Sequence, residues 1–375
     1  MTSQCPNRDR CGSCGWSHIP YEKQLRQKVS DINGSLKLKK LDIHVEEILP
    51  SPVTEHYRNR MDFVIDFKRQ VGLREKGKWW NVIDNHTCFL SDEKIEQLFA
   101  AVRQWVQSSS LSCFDRKALT GLLRYAVVRS TTIGETMVTI VTSTPDSDAE
   151  RVQVRKELET LARGLPDTTL VWSVNSTTTD VSFGDTMEVI SGSGYIEEFI
   201  NGFRYRITPN AFFQTNSHAA ALLQKTVLEF VGDASGKKIL DLYCGSGFFG
   251  IALGKGGAVM GVESVPDAIR DAKMNAELNN IGIEFHEAKT ESFDWGTLHP
   301  DVLILDPPRM GMHDNALADV LKNKPPRIVY ISCNYKNFAR ELVLLKEHYG
   351  VAAMRAIDMF PHTPHVELIT CLVRR

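Results

Sequence analysis

Ile239-Leu-Asp-Leu-Tyr-Cys-Gly-Ser-Gly-Phe-Phe-Gly250 decides how the second half of this chain is read. An apolar run ends in glycines at 245, 247 and 250, a G-x-G-x-x-G spacing that turns a strand tightly into a helix and lets a ligand approach the backbone. Downstream, 258–262, 302–305 and 327–331 read as further strands, with helical stretches near 248–254, 266–278 and 335–346 between or after them. Such alternation indicates a doubly wound parallel sheet. Two more strands, 354–359 and 366–373, close the chain around a short Pro/His loop.

The Gly loop alone is a weak signal that first suggests a dinucleotide. Glu263 closes the second strand 22 residues after Asp241, where a carboxylate can accept hydrogen bonds from both ribose hydroxyls. An adenine nucleoside cofactor follows, but not which one. The D-x-x-C-G-x-G form resembles motif I of S-adenosylmethionine methyltransferases more than a dehydrogenase. Tyr243, Glu263, Asp306 and Cys333 follow the expected ends of four strands, which converge on the ligand crevice in a doubly wound sheet. That convergence outweighs any single motif.

Asp306-Pro-Pro-Arg309 resembles the loop with which base-modifying methyltransferases hold a planar, amide-like edge, and Ser332-Cys-Asn334 sets a thiol just past the next strand. By position alone Cys333 is as readily structural as catalytic. A thiolate has a use here, because C5 of uracil is too weak a carbon nucleophile to take a methyl group until a nucleophile adds at C6. The adduct must then lose its C5 proton to a base. Phe360-Pro-His-Thr-Pro-His-Val-Glu367 offers Glu367, with His362 and His365 competing.

Working outward, 375 residues exceed the ~250–300 at which one core stops growing, so two domains are expected. Hydrophobic content of 42% and charged content of 24% exclude wholesale disorder. No apolar run approaches the ~18 residues of a membrane helix, and the polar start lacks the apolar core of a secretory signal. A cytoplasmic protein is the expectation. A net charge of −2 rules out a protein held to nucleic acid by bulk charge, though not one with a local basic patch. Residues 57–80 supply one, with seven Lys/Arg against three Asp/Glu, interleaved with Tyr57, Phe63, Phe67, Trp79 and Trp80. Cations plus stackable rings suit RNA, and a solvated face over an ordinary core is the plainer reading.

The stretch 117–200 has a mixed, largely antiparallel α+β texture: a hairpin of 122–129 with 135–142 around Gly134, a helix over 148–165 and a strand at 170–175. Eight cysteines include Cys5, Cys11 and Cys14 in C-x5-C-x2-C, with Cys88 able to complete a set of four. Soft thiolate ligands suit an iron–sulfur cluster or zinc, and unrelated thiols are the alternative. His18 and His86 are possible substitute ligands, while Cys113, Cys244 and Cys371 read as structural.

Together these elements resemble the RNA uracil-5-methyltransferase family. The matching stretches are the cysteine set, Phe212-Phe-Gln-Thr-Asn216, the Gly loop, Glu263, Asp-Pro-Pro-Arg-x-Gly, Ser-Cys-Asn and Phe-Pro-His-Thr-x-His-x-Glu. The resemblance implies a Rossmann-like class I methyltransferase domain at 206–375, preceded at 1–205 by a mixed α+β domain carrying iron–sulfur and RNA-binding functions. It implies S-adenosylmethionine as cofactor, Cys333 as nucleophile and Glu367 as the proton-abstracting base. Gln214, Tyr243, Gly245, Glu263 and Asp306 would line the cofactor and uracil pocket, and Cys5, Cys11, Cys14 and Cys88 would hold a 4Fe–4S cluster. Many relatives begin with an OB-like RNA-binding domain, for which residue 5 as first cluster cysteine leaves no room. That short form is similar to the 23S ribosomal RNA branch, with transfer RNA the main rival substrate and a monomer expected. The readings outside the family are an NAD(P) oxidoreductase, a non-catalytic iron–sulfur RNA-binding module and an exocyclic-amine methyltransferase.

Overall fold

Strand 302–305, Val-Leu-Ile-Leu, is buried throughout, as a strand covered on both faces by helices must be. In the computed structural model, which describes residues 5–86 and 88–375, it lies inside an eight-stranded sheet. The sheet order is Ile48–Leu49, Tyr349–Ile357, Glu367–Arg374, Arg327–Ser332, Val302–Leu305, Lys238–Leu242, Ala258–Glu263 and Glu284–Glu287. Neighbours pair in parallel except Glu367–Arg374, which runs antiparallel to both of its partners. The core combines strand residues Leu240, Leu303 and Ile328 with Phe338 and Leu342 of helix Tyr335–Leu345.

This α/β unit comprises residues 19–53, 199–205 and 211–375. A single cut near residue 205 is therefore corrected: 19–53 belongs with the sheet. The reason is apolar burial. Helix Tyr21–Leu38 carries Ile32 and Leu36 into the sheet's core, Leu41 and Val45 follow them, and Ile48–Leu49 adds an edge strand. Helix Ser217–Val231, which precedes the Gly loop, gave no distinct sequence signal.

The other unit, 1–18, 54–198 and 206–210, holds a seven-stranded sheet ordered Lys78–Asp84, Val71–Glu75, Arg60–Ile65, Leu123–Ser130, Thr136–Ser143, Thr168–Asn175 and Thr186–Ser191. The hairpin and helix expected around Gly134 and 148–165 are present as Leu123–Ser130, Thr136–Ser143 and Asp148–Arg163. Ser147 caps that helix by accepting the Glu150 N–H at 3.2 Å. Strand Thr168–Asn175 returns parallel to Thr136–Ser143, so the texture is antiparallel with one crossover. Among the described residues no helix is long and apolar enough to cross a membrane.

Candidate active site

Register brings the polar residues together. In the α/β sheet Leu242 faces both Val262 and Leu305, Leu305 faces Tyr330, and Ser332 faces Leu368 on the antiparallel strand. One step further along, Tyr243, Glu263 and Asp306 leave three adjacent strands side by side. Cys333 then follows Ser332 at the end of the pair where Glu367, the first residue of the last strand, precedes Leu368. Five expected site residues thus share one edge of the sheet, at the carboxyl ends of its parallel strands.

Each loop at that edge has its own support. Tyr243 takes a left-handed φ of 65°, which a non-glycine residue adopts only under constraint, and Gly245 follows at 53°. Helix Phe248–Leu253 then passes over the buried Asp241, and a Cβ at Gly250 would stand 3.2 Å from its Oδ2. Close helix–strand approach is the reason for glycine there. Glu263 Oε1 accepts the N–H groups of Ser264 (2.7 Å) and Val265 (2.9 Å), and its Oε2 accepts that of Gly245 (3.3 Å). The acid is thereby fixed beside the loop, and open space lies where a Gly245 Cβ would stand. A nucleoside fits this cradle of backbone and carboxylate. Gln214 is half-buried in the loop before helix Ser217–Val231, whose first turn is capped by Asn216.

The Ser-Cys-Asn and Asp-Pro-Pro-Arg loops are tied to one another. Ser332 Oγ accepts the Asn334 N–H at 3.1 Å, turning the chain directly after Cys333, and Asn334 Oδ1 caps helix Tyr335–Leu345. Asn334 and Asn337 donate to the Arg309 carbonyl at 3.1 and 2.8 Å. Behind them buried Glu341 accepts the Met312 N–H at 3.0 Å and the Tyr330 hydroxyl at 2.6 Å. Sequence reading missed Glu341, because a lone acid on an amphipathic helix looks like a solvated one.

Burial and mutual repulsion set the electrostatics. Burial raises Asp306 to about 7. It lifts Glu367 well above the ordinary carboxylate range, and Asp306 adds to the lift. The half-buried Cys333 thiol is pushed up to about 11 by burial, then by Glu367 and Asp306, with Arg309 opposing. The resting site therefore holds a neutral thiol beside two carboxyls that resist ionisation. Such a carboxyl is a stronger proton acceptor once ionised. His362, a competing base, is buried in the turn before Glu367, and His365 is exposed.

In the other unit the four N-terminal candidates gather. Cys5, Cys14 and Cys88 are buried and Cys11 is half-buried. Burial and then Cys5 push the Cys14 thiol up to about 12, with Cys88 contributing. Burial raises Cys88 to about 11. Burial also lifts Cys11, but hydrogen bonding with His86 and Ser13 outweighs it and leaves that thiol below its ordinary value. His86 is thus a buried neighbour of the thiols, while His18 is exposed. Among the described residues no three His, Cys, Asp or Glu side chains stand in a metal-holding arrangement. The donor set itself, thiols among which Cys5 and Cys88 act on Cys14 and Cys11 acts on Cys88, is of the chemistry a thiophilic metal group takes.

The basic, aromatic stretch divides by burial. Tyr57 and Phe63 are core residues, Phe63 stacking on Phe99 at 4.3 Å, and they leave the expected stacking face. Phe67, Trp79 and Trp80 are 53%, 51% and 51% exposed. Part of the charge is already matched, Arg60 by Asp62, Arg74 by Asp180 and Lys78 by Glu75.

A family model described as tRNA (Uracil-5-)-methyltransferase matches residues 20–375. A tRNA (uracil(54)-C(5))-methyltransferase of Pyrococcus furiosus is 37% identical over 99% of this chain and 85% of its own length. An uncharacterized RNA methyltransferase of Caldanaerobacter subterraneus is 35% identical over 99% of this chain and 85% of its own. The crystal structure of Pyrococcus abyssi tRNA (uracil-54, C5)-methyltransferase in complex with S-adenosyl-L-homocysteine superposes with a TM-score of 0.82 at 35% identity, covering 96% of this chain and 86% of that one.

Proposed function

The chain belongs to the tRNA (uracil-5-)-methyltransferase family and is an S-adenosylmethionine-dependent RNA uracil-C5 methyltransferase; on that premise we propose that Cys333, Glu367 and Asp306 divide the reaction among them. The observation that carries this reading is that Cys333 and Glu367 lie at the same end of two paired strands, where Glu367 and Asp306 both act on the Cys333 thiol. The NAD(P) reading of the Gly loop falls with family membership.

Bound S-adenosylmethionine would supply a methyl group on a sulfonium centre, and Gln214, Tyr243, Gly245 and Glu263 are the residues to hold it. Asp306, on its rigid Pro307-Pro308 turn, meets the amide-like edge of a uracil that has left its stack. The Cys333 thiolate adds to C6, forming the S–C6 bond and pushing the ring electrons toward C5 and O4. C5 takes the methyl group as the donor's methyl–sulfur bond breaks. Glu367 removes the C5 proton, and the released electron pair restores the C5–C6 double bond and expels the thiolate.

The relatives from Pyrococcus furiosus and Pyrococcus horikoshii are named for uracil 54 of tRNA, so tRNA is the substrate to test first, ahead of 23S ribosomal RNA. Labelled methyl transfer into unmodified tRNA and 23S transcripts, followed by nucleoside analysis, is expected to yield 5-methyluridine in tRNA. Label only in 23S RNA would reverse that order, and label at another position or none would sink the function.

Cys5, Cys11, Cys14 and Cys88 are proposed to hold a 4Fe–4S cluster in the RNA-binding unit, a structural role since methyl transfer moves no electron between metal and substrate. Phe67, Trp79 and Trp80 are exposed rings suited to stacking there. Anaerobic purification is expected to give brown protein with about four irons and four sulfides per chain. Stoichiometric zinc without sulfide would decide against the cluster.

A further inference from the structure

Helix Tyr21–Leu38 turns a stripe of four residues inward: Gln24, Lys28, Ile32 and Leu36, spaced by four and almost wholly buried. Ile32 and Leu36 pack in the core of the α/β sheet. Gln24 and Lys28, at 0% and 1% exposure, occupy positions that apolar side chains could fill without desolvating a polar group. Their partners explain them.

Lys28 Nζ donates to Asp358 Oδ1 at 2.6 Å and to the Phe360 carbonyl at 3.1 Å. Gln24 Oε1 accepts the His362 backbone N–H at 2.8 Å, while Gln24 Nε2 donates to the Ile19 carbonyl at 2.8 Å and faces His362 Nδ1 at 3.1 Å. Asn216 Nδ2 adds a bond to the Met359 carbonyl at 3.0 Å. The segment 358–362 is therefore gripped at four of its five residues. It is also the turn that sets where the last strand starts, and that strand starts at Glu367. His362 makes the turn with a left-handed φ of 65°, a conformation that must be imposed from outside.

The Gln24 amide has only one possible orientation. The His362 N–H can only donate and the Ile19 carbonyl can only accept, so Oε1 and Nε2 are assigned by chemistry. Nε2 then presents a hydrogen to His362 Nδ1, which must be an unprotonated acceptor. His362 is held as the neutral Nε2–H tautomer and is withdrawn from acting as a base through Nδ1.

We propose that Gln24 and Lys28 are positioning residues for Glu367: they clamp the 358–362 turn from the N-terminal helix and thereby set the geometry of C5 proton removal. The inference rests on Glu367 being the base. Its signature is a split between two steps. Formation of the Cys333–uracil adduct precedes proton removal, so a loosened clamp slows adduct resolution and spares adduct formation.

The test uses the full-length enzyme and tRNA transcript, with Gln24→Met, Gln24→Glu and the double variant Lys28→Met/Asp358→Asn, which removes both buried charges together. Single-turnover measurements follow the denaturant-stable protein–RNA adduct and the release of 5-methyluridine. Resolution is expected to fall about 10²-fold and formation to stay within about threefold, as misplacing a base by an ångström predicts. Melting curves restrict the comparison to folded protein. Gln24→Glu retains the acceptor for the His362 N–H but reverses polarity at Nδ1. It should therefore convert the His362 ring to a form protonated at Nδ1, read by ¹⁵N chemical shifts. Should formation and resolution fall in proportion in every folded variant, or should Gln24→Glu leave the tautomer unchanged, the clamp is refuted. Glu367→Gln serves as the control: normal turnover in that variant removes the base, whereas an accumulated adduct there with normal resolution in the clamp variants removes the clamp alone.

Discussion

Replacing Cys333 with alanine is expected to lower methyl transfer by about 10⁴-fold or more, the scale on which loss of a nucleophile is felt. The same change should abolish covalent trapping by RNA carrying 5-fluorouridine. The two readouts report one bond. Fluorine at C5 cannot leave as a proton, so the wild-type adduct stalls after methylation and survives denaturation, and without Sγ no adduct forms. Wild-type trapping should also quicken as pH rises. The Cys333 thiol is raised to about 11 by burial, Glu367 and Asp306, so below that value the thiolate fraction grows with pH. Glu367 takes no part in trapping as a base, and its own ionisation on the same rise pushes the thiol further up, so it softens the increase without reversing it. Trapping that falls with increasing pH would contradict this electrostatic picture.

Glu367→Gln is expected to have the second-largest effect, a loss of about 10²–10⁴-fold in turnover with the adduct accumulating on ordinary uridine RNA. Glutamine keeps the shape and cannot take the proton. Adduct formation should be no slower than in the wild type, because Glu367 is one of the groups that push the Cys333 thiol up. Stability gives an independent check. The folded pKa of Glu367 is raised, so its ionisation costs the folded state stability as pH climbs from the unfolded carboxylate value toward the folded one. Glutamine carries no such cost, and at neutral pH the variant should melt no lower than the wild type. Normal turnover, or a block before the adduct, would remove Glu367 from the role of base.

The edge at the carboxyl ends of the strands was legible because its chemistry is local. A polar residue just past each apolar run is visible in the chain, and sheet topology then collects Tyr243, Glu263, Asp306 and Cys333. Glu367 reached the same place through a motif beside a strand whose antiparallel insertion sequence alone did not reveal. The supporting shell was not legible. Gln24 and Lys28 lie more than 300 residues from their partners on the 358–362 turn. A Gln-x3-Lys spacing on a helix ordinarily describes a wet face. The same distance misplaced the domain boundary, since nothing near residue 40 announces that a preceding helix packs under strands 200 residues later. Charge pattern misled in the opposite sense at 57–80: Tyr57 and Phe63 are drawn into the core, so only some of an apparently continuous stacking surface faces solvent.

Catalysis turns on a covalent bond between one thiol and C6 of uracil, and mass spectrometry of the protease- and nuclease-digested complex with 5-fluorouridine tRNA reads that bond itself. The digest is expected to yield a single modified peptide, carrying a methylated fluorouridine on Cys333. Absence of any adduct, or an adduct confined to another of the eight cysteines, would contradict it.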